Sequence, residues 1–312
     1  MPEMTWSHLT ADTVEQWADL TNELARADQT QEFYEAEDLA EELTEAGMTP
    51  ATDTWAAWDG DTLIAYGQLR VGFTAGDDGE VRLQIDGGVR PQWRGRGIGR
   101  DLMDRAEARA AALNAERNPG STGLLRVSAG LEGSSAYRML KARGYLPVRY
   151  FTLMERDNPG EPLDVDWAGL ASPTPEDEEA VRVAHNAAFT DHWGFAPWTA
   201  ERWHDVYAGR PARPQVSTIS RRDDGSVDAY VLVSQYEPKE LWVGLVGTIR
   251  EARGTGLATR ALARSLELAR DVDGITVVGL DVDSESPTGA TRLYERLGFV
   301  AKQTTVTMTR PA

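Results

Sequence analysis

Two short segments of the 312-residue sequence place glycine and arginine in nearly the same order. The first is Arg94-Gly95-Arg96-Gly97-Ile98-Gly99-Arg100, and the second is Arg253-Gly254-Thr255-Gly256-Leu257-Ala258-Thr259. Each leads into apolar residues at helical spacing, so each is predicted to form the first turn of a helix. The free N–H groups and the dipole of a helix N-terminus attract anions, and arginine adds positive charge. The pattern therefore predicts two binding sites for a diphosphate or another phosphorylated group.

Three other interpretations of these glycines can be compared with the sequence. A mononucleotide P-loop requires Gly-Lys followed by Ser or Thr, and neither segment contains lysine. A dinucleotide-binding fold spaces its glycines as Gly-x-Gly-x-x-Gly after the first strand, whereas here the spacing differs and several strand-like segments precede the turn. Glycines that only permit a tight strand-to-helix turn are the third alternative, which the recurrence of the whole pattern disfavours.

The order of elements around the two segments also repeats. Gly97 and Gly256 are 256 − 97 = 159 residues apart, and Gly144 and Gly298, which each end a helical stretch, are 298 − 144 = 154 apart. An internal duplication explains both separations. Each copy alternates strands with helices, which predicts an α/β (α+β) fold with one mixed sheet per copy.

A polar segment between the copies contains two prolines and a glycine, at residues 156–162. Such a composition is typical of a linker. We therefore expect an N-terminal domain at 1–156 and a C-terminal domain at 163–312.

The composition excludes several classes of function. Acidic residues number 50 against 32 basic ones, and the resulting net charge of −18 repels nucleic acid and anionic membrane surfaces. The absence of cysteine excludes thiolate metal ligands and a cysteine nucleophile, and the histidines lack metal-ligand spacing, so no metal is expected. No apolar segment approaches the ~20 residues that cross a bilayer. These features favour a cytoplasmic protein with no nucleic-acid or membrane partner.

The motifs Arg94-x-x-Gly97-x-Gly99 and Arg253-x-x-Gly256-x-Ala258 resemble the acyl-CoA signature of the GNAT superfamily of N-acetyltransferases. Residues 136–145 and 290–299 are similar to that superfamily's second signature, and the second copy is the closer match. Among tandem members, the chain is distantly similar to the mycothiol synthase family of actinobacteria. The resemblance implies two consecutive GNAT-like domains, each with a splayed central sheet flanked by helices. It also implies acetyl-CoA as co-substrate and direct attack by an amine in a ternary complex.

The same resemblance assigns cofactor-binding positions in both copies. In the second copy, strand residues would bond the pantetheine arm and the acetyl carbonyl, and the turn would hold the diphosphate; these positions are Val246, Gly247, Thr248 and Arg253, Gly254, Thr255, Gly256, Leu257, Ala258, Thr259. The corresponding positions of the first copy are Gly87, Gly88, Val89 and Arg94, Gly95, Arg96, Gly97, Ile98, Gly99, Arg100.

One difference between the copies bears on catalysis. Tyr294 stands where the resemblance places a tyrosine that protonates the departing thiolate, and the matching residue of the first copy is Leu140. A phenol donates a proton and leucine cannot, so the C-terminal copy is predicted to be catalytic. The N-terminal copy then either binds acetyl-CoA without turnover or serves as a structural partner.

The general base is predicted on the strand that precedes the carbonyl-binding segment. The resemblance to mycothiol synthases places a glutamate where this chain has Trp242. Strand alternation puts Glu240 on the same face, and Glu237 lies just outside, so either carboxylate could accept the proton directly or through water. Glu240 is our candidate base.

The acceptor is predicted to be a small molecule with a primary amine. Candidate substrate-binding residues are Asp191, His192 and Trp193, whose charge and rings suit a cationic group, although a helix-capping role is an equal alternative. An acetyl-CoA-binding sensor or scaffold without turnover is the competing function, and either a monomer or a homodimer is compatible with the sequence.

Overall fold

A computed structural model describes residues 4–30, 33–76, 79–164, 166–190, 197–284 and 289–312. The chain forms two compact units. Unit 1 consists of Met1–Tyr150 with Thr305–Ala312, and unit 2 consists of Phe151–Thr304.

Unit 1 begins with a short strand, three helices and a hairpin, and it continues with a long helix between two parallel strands. Its strands are β1 (Thr5–Ser7), β2 (Thr54–Asp59), β3 (Thr62–Val71), β4 (Glu80–Val89) and β5 (Thr122–Leu131). Its helices are α1 (Val14–Asp28), α2 (Ala36–Glu42), α3 (Pro50–Asp53), α4 (Ile98–Arg117) and α5 (Ser135–Ala142).

Unit 2 repeats this order. Its helices are α6 (Glu178–Ala188), α7 (Ala200–Tyr207), α8 (Leu257–Ala269) and α9 (Ala290–Arg296). Its strands are β7 (Leu170–Ala171), β8 (Thr218–Arg221), β9 (Val227–Ser234), β10 (Glu240–Thr248) and β11 (Val277–Asp283). Two further strands, β6 (Leu146–Asp157) and β12 (Val300–Pro311), contribute residues to both units.

Each unit contains one mixed sheet. In unit 1 the order of the described strands is β1-β2-β3-β4-β5 followed by residues 305–311 of β12, and β4 and β5 are the parallel pair among them. In unit 2 the described strands follow the order residues 151–157 of β6, then β11-β10-β9-β8-β7, with β10 and β11 parallel and the other pairs antiparallel. Mixed sheets flanked by helices confirm the predicted fold class.

The unit boundaries depart from the expected split at residues 156 and 163. Residues 151–157 pair antiparallel with β11, from Phe151↔Asp283 to Asp157↔Val277, and so belong to unit 2. The chain's last strand pairs with β5, up to Pro311↔Leu124, so Thr305–Ala312 completes unit 1. Linker composition marks where a chain is irregular, but it carries no information about which strand a segment pairs with.

Helices cover both faces of each sheet. In unit 1, α4 and α5 pack on one face around Leu83, Met103 and Tyr145, and α1 and α2 pack on the other around Trp17 and Tyr66. In unit 2, α8 and α9 share one face with Leu241 and Leu280, whereas α6 and α7 cover the other with Trp203 and Tyr230. Within the residues described above, no helix has the length and apolarity to cross a membrane.

Candidate functional site

The parallel strand pair of each unit opens into a gap. Pairing between β4 and β5 ends at Ile85↔Val127, so residues 86–89 continue without a strand partner on that side among the described residues. Pairing between β10 and β11 ends earlier, at Trp242↔Gly279, and a bulge follows between Val243 and Leu245. In the described part of the chain, the backbone polar groups of residues 246–248 therefore have no strand partner on the β11 side. The gaps contain the segments predicted to bind pantetheine.

The two glycine-rich turns expose a series of backbone N–H groups. Gly95 and Gly97 have φ values of 78° and 92°, and Gly254 and Gly256 have 77° and 82°, which side chains other than glycine rarely adopt. Amides 95–99 and 254–259 have no backbone acceptor among the described residues. Each series runs into the start of a long helix, α4 or α8. This arrangement suits the diphosphate of a coenzyme.

The first arginine of each turn makes contacts within the protein. Arg94 donates two hydrogen bonds to Asp28, at 2.7 and 2.6 Å, and a third to the Val89 carbonyl at 2.9 Å. Arg253 donates to the carbonyl of Ala188 at 2.8 Å. Asp28 and Ala188 are the last residues of α1 and α6, so these arginines attach each turn to the end of a neighbouring helix. The backbone amides are thus the groups free to receive an anion.

The remaining arginines of the turns differ in their partners. Arg96 donates to the Gln92 carbonyl at 3.1 Å, and Arg100 is exposed beside the unit 1 cavity. In unit 2, Arg260 donates to the carbonyls of Asp166 and Ala168 at 3.0 and 2.7 Å. Most of these arginine side chains therefore bond to other groups of the protein, which the sequence pattern did not reveal.

Tyr294 lies in α9 with its ring in the core of unit 2. The residue is 8 % exposed, and its ring packs edge-on against Phe299 with the centroids 6.0 Å apart. Burial raises the pKa of the phenol to about 12. Its hydroxyl makes no hydrogen bond with the described residues.

Glu240 lies at the start of β10, on the face opposite Leu241 and Tyr294. Its Oε1 is buried without a hydrogen-bond partner in the described part of the chain. That oxygen reaches over Gly279, where it would lie 2.6 Å from an added Cβ, and the Trp242 ring covers the same glycine at 2.8 Å. Burial, followed by the charges of Glu155 and Glu237, raises the pKa of Glu240 to about 7. Such a carboxylate can exchange a proton near neutral pH.

A model of the acetyltransferase (GNAT) family matches this chain twice, at residues 14–126 and 179–299. The chain belongs to the GNAT family. It is an acyltransferase with a tandem arrangement of the family's domain, which confirms the relationship that the two signatures predicted.

Proteins similar to this GNAT chain support the assignment. It is 31 % identical over 258 residues to a mycothiol acetyltransferase of Rhodococcus erythropolis, with 77 % of this chain and 79 % of the relative covered. A mycothiol acetyltransferase of Salinispora arenicola is 30 % identical over 227 residues, covering 68 % and 67 %.

Two solved structures share the fold. A GCN5-related N-acetyltransferase from Sphaerobacter thermophilus superposes with a TM-score of 0.75 at 23 % identity, covering 99 % of this chain and 95 % of that one. A tandem GNAT protein from the clavulanic acid biosynthesis pathway gives 0.71 at 22 % identity, covering 99 % and 98 %.

The sequence analysis did not predict one contact in unit 2 of this GNAT protein. Tyr230 crosses Gly247, where an added Cβ would lie 2.4 Å from its ring, and His185 Nδ1 lies 2.6 Å from the Tyr230 hydroxyl. His185 and Tyr230 are both about 1 % exposed. The pair therefore forms a rigid wall behind the strand segment that was predicted to bind the acyl group.

The repeat could have revealed these residues. Tyr66 pairs with Gly88 as Tyr230 pairs with Gly247, and the tyrosines are 230 − 66 = 164 residues apart. Asn22 and Asn186 have the same separation, and each bonds the backbone of an aromatic residue 12 positions later, Tyr34 and Trp198. The candidate acceptor residues Asp191, His192 and Trp193 lie outside the described residues.

Proposed function

We propose that unit 2 transfers the acetyl group of acetyl-CoA to a primary amine of a small molecule, by direct attack in a ternary complex. The observation that carries the proposal is the buried Oε1 of Glu240, which has no hydrogen-bond partner among the described residues and belongs to the strand pair that opens into the gap two residues later. Tyr294 lies on the opposite face of the same sheet, where it can act on the other side of a thioester that occupies the gap.

The chemistry requires three proton transfers. Glu240 accepts a proton from the acceptor ammonium, directly or through water, and the neutral amine then attacks the thioester carbonyl carbon. As the C–S bond breaks, Tyr294 supplies the proton that the departing thiolate takes up, and the new amide nitrogen releases its second proton to solvent. A pKa of about 7 makes Glu240 a competent base at neutral pH, and the pKa of about 12 keeps Tyr294 protonated until the thiolate forms.

Unit 1 is proposed to bind acetyl-CoA without turnover. Its turn presents the same free amides as unit 2, but Leu140 offers no proton to a thiolate. The described residues also form a cavity of about 790 Å³ that reaches from this turn past the gap beside β4. That volume lies within the usual range for ligand pockets.

Similarity to two mycothiol acetyltransferases supports a small amine-bearing acceptor. Trp242, which stands where the resemblance places a glutamate, covers Gly279 with an aromatic ring beside the Glu240 carboxylate. An apolar wall at this point favours the neutral form of the amine over its ammonium.

Thiol release from acetyl-CoA, measured over a panel of primary amines, tests the proposal. We expect at least one amine to give amine-dependent release, with acetylated product detected by mass spectrometry. Calorimetric titration with acetyl-CoA serves as the parallel measurement. Binding without release on every amine would overturn the proposal in favour of a coenzyme-binding sensor.

A further inference from the structure

The cavity of unit 1 carries, besides the turn, a cluster of polar side chains that we call the polar end: Glu42, Gln68, Arg70 and Asp86. Arg70 forms ion pairs with Glu42 and with Glu45 at 2.8 Å, and with Asp86 at 3.3 Å. Three carboxylates therefore surround one guanidinium. The cluster carries an excess of negative charge in a partly buried place, where such charge is costly to leave uncompensated.

Each donor nitrogen at the polar end makes a hydrogen bond, whereas two acceptor oxygens make none with the described residues. Nε and both terminal nitrogens of Arg70 donate to the three carboxylates, and the Gln68 amide donates to Glu42 at 3.1 Å. Gln68 is only 6 % exposed, and its Oε1 is buried with no partner in the described part of the chain. Oε1 of Glu42 likewise accepts no hydrogen bond from the described residues, because both of its bonds go to Oε2.

We propose that unit 1 binds a second small molecule, one that carries a primary ammonium group, at the polar end of its cavity. An ammonium supplies three donors and one positive charge, which match the surplus of acceptors and the surplus of negative charge. A carboxylate or phosphate ligand would increase the charge imbalance, and a neutral polyol would leave it unchanged. The inference does not depend on turnover in unit 2.

The place of the polar end defines what such an amine can do. Asp86 immediately precedes residues 87–89, the strand segment beside the gap, so the amine lies next to the position predicted for the acyl group. Leu140 lines the same cavity and cannot protonate a thiolate. Unit 1 therefore holds the amine as a ligand rather than as an acetyl acceptor.

The pKa of Glu42 is consistent with a cationic ligand at the polar end. Burial raises the pKa of its carboxyl group, even though Arg70 lies beside it and opposes the shift. One guanidinium shared by three carboxylates does not compensate the buried charge, and a bound ammonium would add the missing cation.

Calorimetry on the full chain at low ionic strength tests the proposal with ethanolamine, putrescine and glucosamine, each beside its neutral counterpart ethylene glycol, butanediol or glucose. We expect saturable binding of at least one amine and of none of the neutral compounds. Asp86→Asn and Glu42→Gln should each weaken that binding about tenfold or more, as loss of a charged hydrogen bond does. Glu45→Gln is the matched control, since Glu45 pairs with Arg70 but does not line the cavity, and a smaller loss is expected.

A further measurement decides where the amine binds, because unit 2 is itself proposed to bind a primary amine. In the unaltered protein, the cationic spin label amino-TEMPO should broaden the amide resonances of Gly87 and Gly88, and the neutral hydroxy-TEMPO should not. This second measurement needs no variant, so it stands even if a substitution impairs folding. Absence of binding by all three amines, or equal broadening by both spin labels, would overturn the proposal.

Discussion

Tyr294 and Leu140 occupy the same position in two helices that end in the same way. The N–H of Phe299 donates to the Tyr294 carbonyl at 3.1 Å, and the N–H of Tyr145 donates to the Leu140 carbonyl at 3.1 Å. Both side chains are buried against the sheet, with exposed fractions of 8 % and 1 %. The two helices thus share a backbone conformation but differ in chemistry at this position, because the side chain has a hydroxyl group in unit 2 and none in unit 1.

Replacing Tyr294 with Phe should slow acetyl transfer without affecting coenzyme binding. The ring and its packing on Phe299 remain, and only the proton donor is lost. We expect kcat to fall about a hundredfold, the scale of general acid catalysis, with the acetyl-CoA Kd unchanged. Tyr137→Phe in α5 is the matched control and should retain full activity. An unchanged kcat for Tyr294→Phe would remove this phenol from the mechanism.

The pH dependence of kcat/KM should report the ionisation of the Glu240 carboxyl group. A base must be ionised to accept a proton, so activity should fall as the pH decreases through about 7. Glu240→Gln should remove this limb and lower the plateau about a hundredfold. Glu237→Gln, which deletes a nearby charge, should only shift the limb slightly to lower pH. A Glu240→Gln enzyme with the limb intact would show that another group is the base.

Glu240 should also make unit 2 less stable at higher pH. Its pKa is raised from 4.5 to about 7 in the folded state, so the folded chain binds the proton more tightly than the unfolded chain. This group's contribution to stability is fully present below pH 4.5 and is lost as the pH rises to 7. Glu240→Gln should therefore raise the midpoint of thermal unfolding at pH 8 and leave it nearly unchanged at pH 4. A lower midpoint at pH 8 would contradict the buried, unpaired carboxylate.

A methyl group at Gly247 should disturb the wall formed by Tyr230. Its Cβ would lie 2.4 Å from a ring that His185 holds in place, so either the ring or the strand must move. We expect Gly247→Ala to cost about 1–3 kcal/mol in free energy of unfolding, as overpacking does, and to weaken acetyl-CoA binding. Gly244→Ala on the same strand is the control, because its nearest neighbours are 3.9 Å away. Urea denaturation of both variants measures the difference.

Local features of the site were predictable from the sequence. The two turns, their separation of 159 residues and the Tyr294–Leu140 difference can be read from the chain, because a positive φ and a helix start depend on a few consecutive residues. The structure contains the predicted mixed sheets. The match to the family confirms the predicted GNAT relationship. The role of Glu240 as base remains a prediction, although strand alternation correctly placed it on the same face as Trp242.

Partners far apart in the chain were decided only by the tertiary structure. Nothing near Arg94 indicates that it pairs with Asp28, and nothing near Thr305 indicates that its strand completes unit 1. The surplus of acceptors around Arg70 likewise depends on residues from α2, β3 and β4 meeting in one cavity. Short-range steric preferences determine turns and helix ends, whereas strand pairing, charge pairing and the shape of a cavity depend on which distant segments the folded chain brings into contact.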